Sequence, residues 1–278
     1  MLTAEALDAA VEGDGDARVL TLDRAFQGLP DTAHGGSVLA ALDHAAGLGG
    51  PRRLEGHFLR RVPLAVRLQL RARRHLAACH LELADGAAVL VRGRVTADAM
   101  PVGATAPPAE DAMALPISRS CFACGTDNAL GLGLRLRADD DAVGGTWMPR
   151  SGVVVAPGAL APVALTTMLD EAAFWLGALA TGEARMTTAL RVTLHAEASA
   201  ESAITVAGAR AAVRPREGDT RYWDTALTAR DAGGRLVASA TITFVAVRGA
   251  ARRLVTGMLA VNAPEQLRRV FPAYVPLA

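Results

Sequence analysis

Within residues 26–50, three neighbouring residues and one distant acid stand out as able to do chemistry: His34-Gly35-Gly36 and, nine positions after the histidine, Asp43. Between them lie Val38, Leu39, Ala40, Ala41 and Leu42; after Asp43 and His44, the glycines 47, 49 and 50 and Pro51 close the run. The pattern predicts a mostly apolar, buried helix with an acid in its middle. An ionised carboxylate in such a place is costly unless it is paired or hydrogen-bonded, so Asp43 needs a reason to be there. Glycines at a helix start leave backbone N–H groups open to close approach, with the positive end of the helix dipole behind them. A carboxylate stripped of water is a stronger base. Together these residues suit chemistry in which negative charge develops beside the helix start. The plain alternative is structural: Asp43 bonds loop amides, His34 caps or packs, and the glycines only make a tight turn.

The design recurs in Ala161–Gly177. Leu169-Asp170 lines up with Leu42-Asp43, Ala172-Ala173 with Ala45-Ala46, and Glu171 follows the acid. The glycines are gone, replaced by Ala161-Pro162-Val163. Proline has no N–H to donate, and valine adds bulk where glycine would allow approach. The second copy is therefore degraded at its helix start, while its acids remain as either catalytic groups or scaffold.

Cys121 and Cys124 have zinc-knuckle spacing, but no second pair follows, and structural zinc wants four ligands. The expectation is a tight turn with small semi-buried thiols and no metal. Three cysteines do not make a secreted disulfide framework.

The elements that must position these groups follow the same repeat. A short helix at Leu2–Val11 and a strand at Arg18–Leu22 precede the glycine-gated helix. Val66–Ala72 alternates as a half-buried strand, His75–Leu83 is another, and Asp85-Gly86 turns the chain into Val89–Ala97. Met100–Ala114 reads as a linker. In the second half Leu132, Leu134 and Leu136 alternate. Strands follow at Met186–Ala196, Ile204–Val213, Tyr222–Thr228 and Leu236–Val247, and a short tail helix at Ala263–Phe271. Each half is a helix and then an antiparallel sheet, an internal duplication. A sheet with one apolar face must cover it, and curling around the helix is the economical way. Joining the two sheets edge to edge also hides strand edges.

A net charge of +1 and scattered arginine pairs give no basic stripe for nucleic acid. No signal peptide is evident, and no uninterrupted apolar segment reaches membrane-spanning length. The default location is the cytoplasm, with no membrane partner.

The chain resembles the hotdog-fold thioesterase superfamily in its tandem, double-hotdog form, in the phenylacetyl-CoA-thioesterase-like branch. The resemblance rests on Gly28-Leu-Pro-Asp-Thr-Ala-His34-Gly35-Gly36 with Asp43 following, and on Phe58-Leu-Arg-Arg-Val-Pro63. Cys121-Phe-Ala-Cys124-Gly, Asn128-Ala-Leu-Gly131-Leu, Trp147-Met-Pro149 and Leu169-Asp170-Glu171 continue it. It implies an α+β fold of two curved antiparallel β-sheets, each wrapped around a central α-helix. The halves would be residues 1–110 and 115–250, with 251–278 as a tail.

The resemblance also implies hydrolysis of an acyl-CoA or other acyl thioester, with no cofactor. Gly35 and Gly36 would be oxyanion donors, Asp43 the base or nucleophile, and His34 an orienting group. Asp170 or Glu171 would serve a differently assembled site. Arg60 and Arg61 would meet coenzyme A phosphates, although neighbours on a strand face opposite ways, so at most one should point to a given site. Thr187, Thr188 and Arg191 are candidate lining residues from the second half. Two other readings stay open. One is a non-catalytic acyl-thioester binding or scaffold protein, favoured if Phe26, Leu29 or Phe58 shuts the pocket. The other is a hydratase or dehydratase, which needs a histidine such as His34 or His57 beside an acid. Two halves in one chain mimic a two-fold dimer, and free sheet edges leave room for a homo-oligomer.

Overall fold

The computed structural model describes residues 3–97, 105–155 and 158–275. The Met100–Ala114 linker lies partly outside them. The five helices among these residues are α1 (Thr3–Ala9), α2 (Gly35–Ala46), α3 (Pro162–Thr181), α4 (Ala251–Met258) and α5 (Pro264–Val270). The first six strands are β1 (Val11–Glu12), β2 (Ala17–Leu20), β3 (Arg52–Phe58), β4 (Leu68–His75), β5 (Ala78–Asp85) and β6 (Ala88–Thr96). Next come β7 (Met113–Ala114), β8 (Arg137–Ala138), β9 (Ala142–Trp147), β10 (Val154–Val155) and β11 (Ala159–Leu160). The last are β12 (Arg185–Leu194), β13 (Ile204–Ala209), β14 (Arg214–Arg216), β15 (Asp219–Asp231) and β16 (Leu236–Ala246).

One antiparallel sheet runs β1-β2-β4-β5-β6-β3-β12-β16-β15-β13-β9-β8-β7. Its centre is the pair β3–β12, which joins the halves from Ala189 opposite His57 to Leu194 opposite Arg52. The fold is α+β: a double hotdog, each half of the sheet curved around one of two central helices. Because the sheet wraps both helices, nearly every face of α2 and α3 is buried, which explains their apolar character all round. Room for α2 comes from glycines on facing strands. A Cβ at Gly93 would lie 2.7 Å from Leu42 Cδ1, and one at Gly56 3.2 Å from Leu39 Cδ1.

His34 caps α2 with extended backbone, and Gly47 ends the helix at φ 61°, donating to Asp43 O and His44 O. Pro162 opens α3, where its missing N–H costs nothing, and Gly182 ends it at φ 67°. By length and mean hydropathy the 20 residues of α3 could cross a membrane, although Asp170 and Glu171 interrupt its apolar run; 83% of that window is buried within the protein, as befits a core helix.

Elsewhere the reading needs correction. Leu132, Leu134 and Leu136 are buried, but only Arg137–Ala138 beyond them pairs as strand, the chain passing through Gly133 at φ 62°. In the tail, a further helix, α4, precedes the expected one, and its Leu254, Val255 and Met258 turn inward on one face.

Candidate active site

The helices α2 and α3 cross the seam between the halves in opposite directions. Asp43 stands eight residues beyond Gly35, so a rise of about 1.5 Å per residue carries it roughly 12 Å away from the glycines. The antiparallel neighbour brings Asp170 to them instead. Asp170 Oδ2 accepts from the Gly36 N–H at 3.0 Å. Its Oδ1 accepts from the Thr187 hydroxyl at 2.9 Å.

The approach is close because Gly36 has no side chain: a Cβ there would lie 2.5 Å from Thr166 O. Thr166 in turn donates its hydroxyl to Gly36 O at 2.8 Å. A Cβ on Gly35 would meet Asp170 Oδ2 at 2.7 Å. The glycines therefore serve approach by the second helix as well as any approach by a ligand. Gly35 lines the cavity described below, and among the described residues its N–H has no acceptor.

His34, 5% exposed, sits between two carboxylates. Its Nδ1 is 3.2 Å from Asp170 Oδ2, and its Nε2 is 3.4 Å from Glu171 Oε2. Burial by itself favours the neutral ring. The hydrogen bond with Glu171 and the charge of Asp170 outweigh burial, and the pKa rises to about 9. The Gly36 N–H also points at His34 Nδ1, at 3.2 Å, so in the neutral ring Nδ1 accepts from Gly36 while Nε2–H donates to Glu171. The raised pKa favours the imidazolium, in which Nδ1–H turns to Asp170. Burial pushes the Asp170 carboxyl above its ordinary value, partly offset by the charge on His34 and by the bonds from Thr187 and Gly36. Trp175 completes the shell, its Nε1–H donating to Glu171 Oε1 at 3.0 Å.

Thr187 reaches Asp170 through a β-bulge. In the β12–β16 register Thr187 faces Phe244 and Ala189 faces Thr243, which leaves Thr188 as the extra residue. Thr188 donates to Thr243 O at 3.1 Å and lines the cavity. Beyond the bulge the alternation is reset, and Arg191 falls in a separate groove with Arg214, Arg216 and Asp224. The expectation that Arg191 lines the site is corrected accordingly.

The cavity measures about 270 Å³ and is lined by His34, Gly35, Asp170 and Glu171 at its polar part. Phe58, Phe174, Val245, Leu254 and Met258 supply apolar wall, the last two from α4. Leu29 and Phe58 line it without closing it, and Phe26 is wholly buried against Phe122. Arg60 and Arg61 both border it. They lie past the end of β3, where strand alternation no longer separates neighbours. His57 is exposed on β3.

Asp43 requires the principal correction. It is 3% exposed and gripped by Arg52, with Nε to Oδ1 at 2.6 Å and Nη2 to Oδ2 at 2.7 Å. It borders a different cleft, beside Ala161, Pro162 and Val163 at the start of α3. The two seams are pseudo-symmetric: one joins glycines, a histidine and two acids that share it, and the other joins proline, valine and an acid neutralised by arginine. His44 faces away, 3.2 Å from Asp8.

The cysteine turn braces the site. A Cβ on Gly125 would meet Cys121 O at 2.3 Å, so the turn requires glycine. Phe122 N donates to Gln27 O, and the Asn128 side chain donates to Ala25 O, tying this turn to the segment before His34. The hydrogen bond with Cys121, together with burial, pushes the Cys124 thiol well up, which makes it a poor nucleophile. One atom each of His34, Cys121 and Glu171 lie within 4.8 Å of one another and could close on an ion. An ion there would have to displace the proton that the two carboxylates hold on His34.

No protein-family model and no curated protein matches the chain. Solved structures do. A putative thioesterase II from Thermobifida fusca is 16% identical over 87% of this chain and 97% of its own, with a TM-score of 0.61. A hot dog fold protein of unknown function from Alicyclobacillus acidocaldarius is 15% identical over 87% and 98%, with a TM-score of 0.59. A monomeric dehydratase domain from a trans-AT polyketide synthase split module is 13% identical over 84% and 99%, with a TM-score of 0.57. These likenesses establish the hotdog fold; the site must speak for the chemistry.

Proposed function

We propose that this protein hydrolyses an acyl thioester to a carboxylate and a free thiol. The observation that carries the reading is the Asp170 carboxylate held at the amide end of α2, beside the unpaired Gly35 N–H, in a largely apolar cavity. Asp170 takes a proton from water as the water oxygen attacks the thioester carbonyl carbon. The Gly35 N–H and the α2 dipole stabilise the oxyanion. Collapse of the intermediate breaks the C–S bond, and the thiolate recovers the proton from Asp170. His34 is a positioning residue: its charge offsets the cost of burying the Asp170 carboxylate. Thr187 orients Asp170, and Glu171 holds His34.

Coenzyme A fits as the carrier, because Arg60 and Arg61 at the exposed border suit its phosphates. Asp43 takes no part in catalysis. The chain reads as a duplication, 1–110 and 115–250, whose tail 251–278 contributes α4 to the cavity wall. It would act in the cytoplasm, with one working pocket.

The test is thiol release from short-chain, long-chain and aryl acyl-CoA esters. Turnover on at least one is expected; none, with folding intact, would remove the enzyme and leave a binding or scaffold role. The contact of His34 with Asp170 also gives a hydratase or dehydratase reading an observation to rest on. Against it, Nδ1 is already met by the Gly36 N–H and Nε2 by Glu171, so neither ring nitrogen is free to serve a substrate. Hydration of an enoyl-CoA, followed by loss of its conjugated absorbance, would favour that second reading.

A further inference from the structure

Arg185 has no place in the chemistry above, yet it lines the same cavity. It is 2% exposed. Its Nε donates to Gly177 O at 3.1 Å, while neither Nη1 nor Nη2 has a partner. The guanidinium lies 4.5 Å from the ring centroid of Phe244 and 5.4 Å from that of Trp223. Those rings can attract its charge through their faces, but they supply no acceptor for the N–H groups that radiate in its plane. Glu183 is the acid whose charge it feels, and both Glu183 oxygens take the Tyr274 hydroxyl, at 2.6 and 2.7 Å. Burial lowers the Arg185 pKa only to about 10, so it stays charged at neutral pH. Space has been made for it: a Cβ on Gly177 would lie 3.0 Å from Arg185 Cγ and 2.9 Å from the Phe244 ring. A buried guanidinium with two idle nitrogens requires an acceptor.

We propose that Arg185 is an anion subsite for the far end of the acyl group, so that the preferred substrate is a thioester whose acyl chain ends in a carboxylate. The placement sets the length. Arg185 anchors on Gly177, seven residues along α3 from Asp170, roughly 10 Å at the helical rise. The acyl chain would run along two turns of α3, past Phe174 and Trp175, from the reacting carbonyl to the guanidinium, whose sealed Nη atoms meet the carboxylate by a turn of the Arg185 side chain toward the cavity. Coenzyme A phosphates are the other anion source, but Arg60 and Arg61 are exposed whereas Arg185 is buried.

The inference rests on the thioesterase reading for its substrate, and its test includes an arm free of catalysis. Octanedioyl-CoA and octanoyl-CoA are compared as substrates of the wild type, Arg185→Met and Arg185→Lys. Free octanedioate, octanoate and coenzyme A are titrated calorimetrically against the same proteins. The wild type should favour octanedioyl-CoA in kcat/KM by about 100-fold, because a site built for a polar group rejects the analogue lacking it. Arg185→Met should erase or reverse that preference and abolish octanedioate binding, while coenzyme A binding stays. Arg185→Lys, which keeps the charge, should retain part of the preference and guards against misfolding of the methionine variant. Hydrolysis of both esters without preference would overturn the subsite and leave the hydrolase standing. Octanedioate binding that depends on Arg185, without any turnover, would uphold the subsite and sink the hydrolase. Equal octanedioate affinity in wild type and both variants, or loss of coenzyme A binding alone, would overturn the inference.

Discussion

Replacing Gly36 by alanine should unseat the meeting of the two central helices. The new Cβ would lie 2.5 Å from Thr166 O, 2.6 Å from Thr166 C and 2.6 Å from Thr167 Cα. All three are backbone atoms of α3, so no rotamer change relieves the clash, and reaching an ordinary contact of about 3.5 Å means moving the helices apart by about 1 Å. Alanine's helix propensity returns at most about 1 kcal/mol. Overpacking costs about 1–3 kcal/mol. Two buried hydrogen bonds cross the seam, Gly36 N–H to Asp170 and Thr166 Oγ1 to Gly36 O, and stretching them costs about 1 kcal/mol each. The expected net loss is about 2–4 kcal/mol, or roughly 4–8 °C in melting temperature. Displacing Asp170 by about 1 Å should also lower thioester turnover about 100-fold. Thermal denaturation followed by circular dichroism, with a thiol-release assay below the transition, reads both quantities. Gly49→Ala is the control, since nothing stands within 4 Å of its Cβ position. If Gly36→Ala matched Gly49→Ala in both measurements, the helix seam would not be the structural basis of the site.

Two further outcomes follow from the same geometry. Thr187→Val keeps the shape of the bulge but removes the donor to Asp170 Oδ1; a lost bond to a charged group should lower kcat by about 10- to 100-fold with little change in KM. The pH dependence comes from His34, which faces Asp170, Glu171 and Cys121. Its folded pKa of about 9 lies above the ordinary value of 6.5, so its stabilising contribution is complete below pH 6.5 and is lost as pH rises through 9, on the order of 3 kcal/mol. Turnover should fall across the same alkaline limb, and its acid limb should lie above the usual carboxylate range because Asp170 is raised. Urea midpoints and rates from pH 5 to 10 check this; a flat profile above pH 7 would refute the imidazolium clamp.

The architecture was readable because local patterns agreed with each other. Apolar helices that close on glycine, alternating strands and the Asp85-Gly86 turn all pointed to helix-wrapping sheets, which is what residues 3–97 and the strands after α3 form. The acid pairing was misread because spacing along one helix says nothing about its neighbour: nine positions from His34 to Asp43 looked like one site. A signal was available. The second copy kept Asp170 and Glu171 while losing its own glycines, as expected if those acids serve the glycines of the first copy. The Thr188 bulge left no sequence trace, since any strand residue can be the extra one. Arg185 was passed over as one of many arginines, because only burial and idle nitrogens distinguish it. Helix α4 was legible in Leu254, Val255 and Met258 beside Arg252 and Arg253, a short amphipathic face.

The central claim is that the working acid comes from the second helix and that the first helix's acid is structural. Thiol release by Asp170→Asn and Asp43→Asn, measured side by side on one acyl-CoA ester, tests it most directly. Asp170→Asn should fold and lose at least about 100-fold in kcat. Asp43→Asn should keep its rate constant below its melting transition but lose about 1–3 kcal/mol of stability, because the half-buried Arg52 exchanges a two-pronged carboxylate for a neutral amide. The reverse pattern, with turnover abolished by Asp43→Asn and kept by Asp170→Asn, would contradict the account.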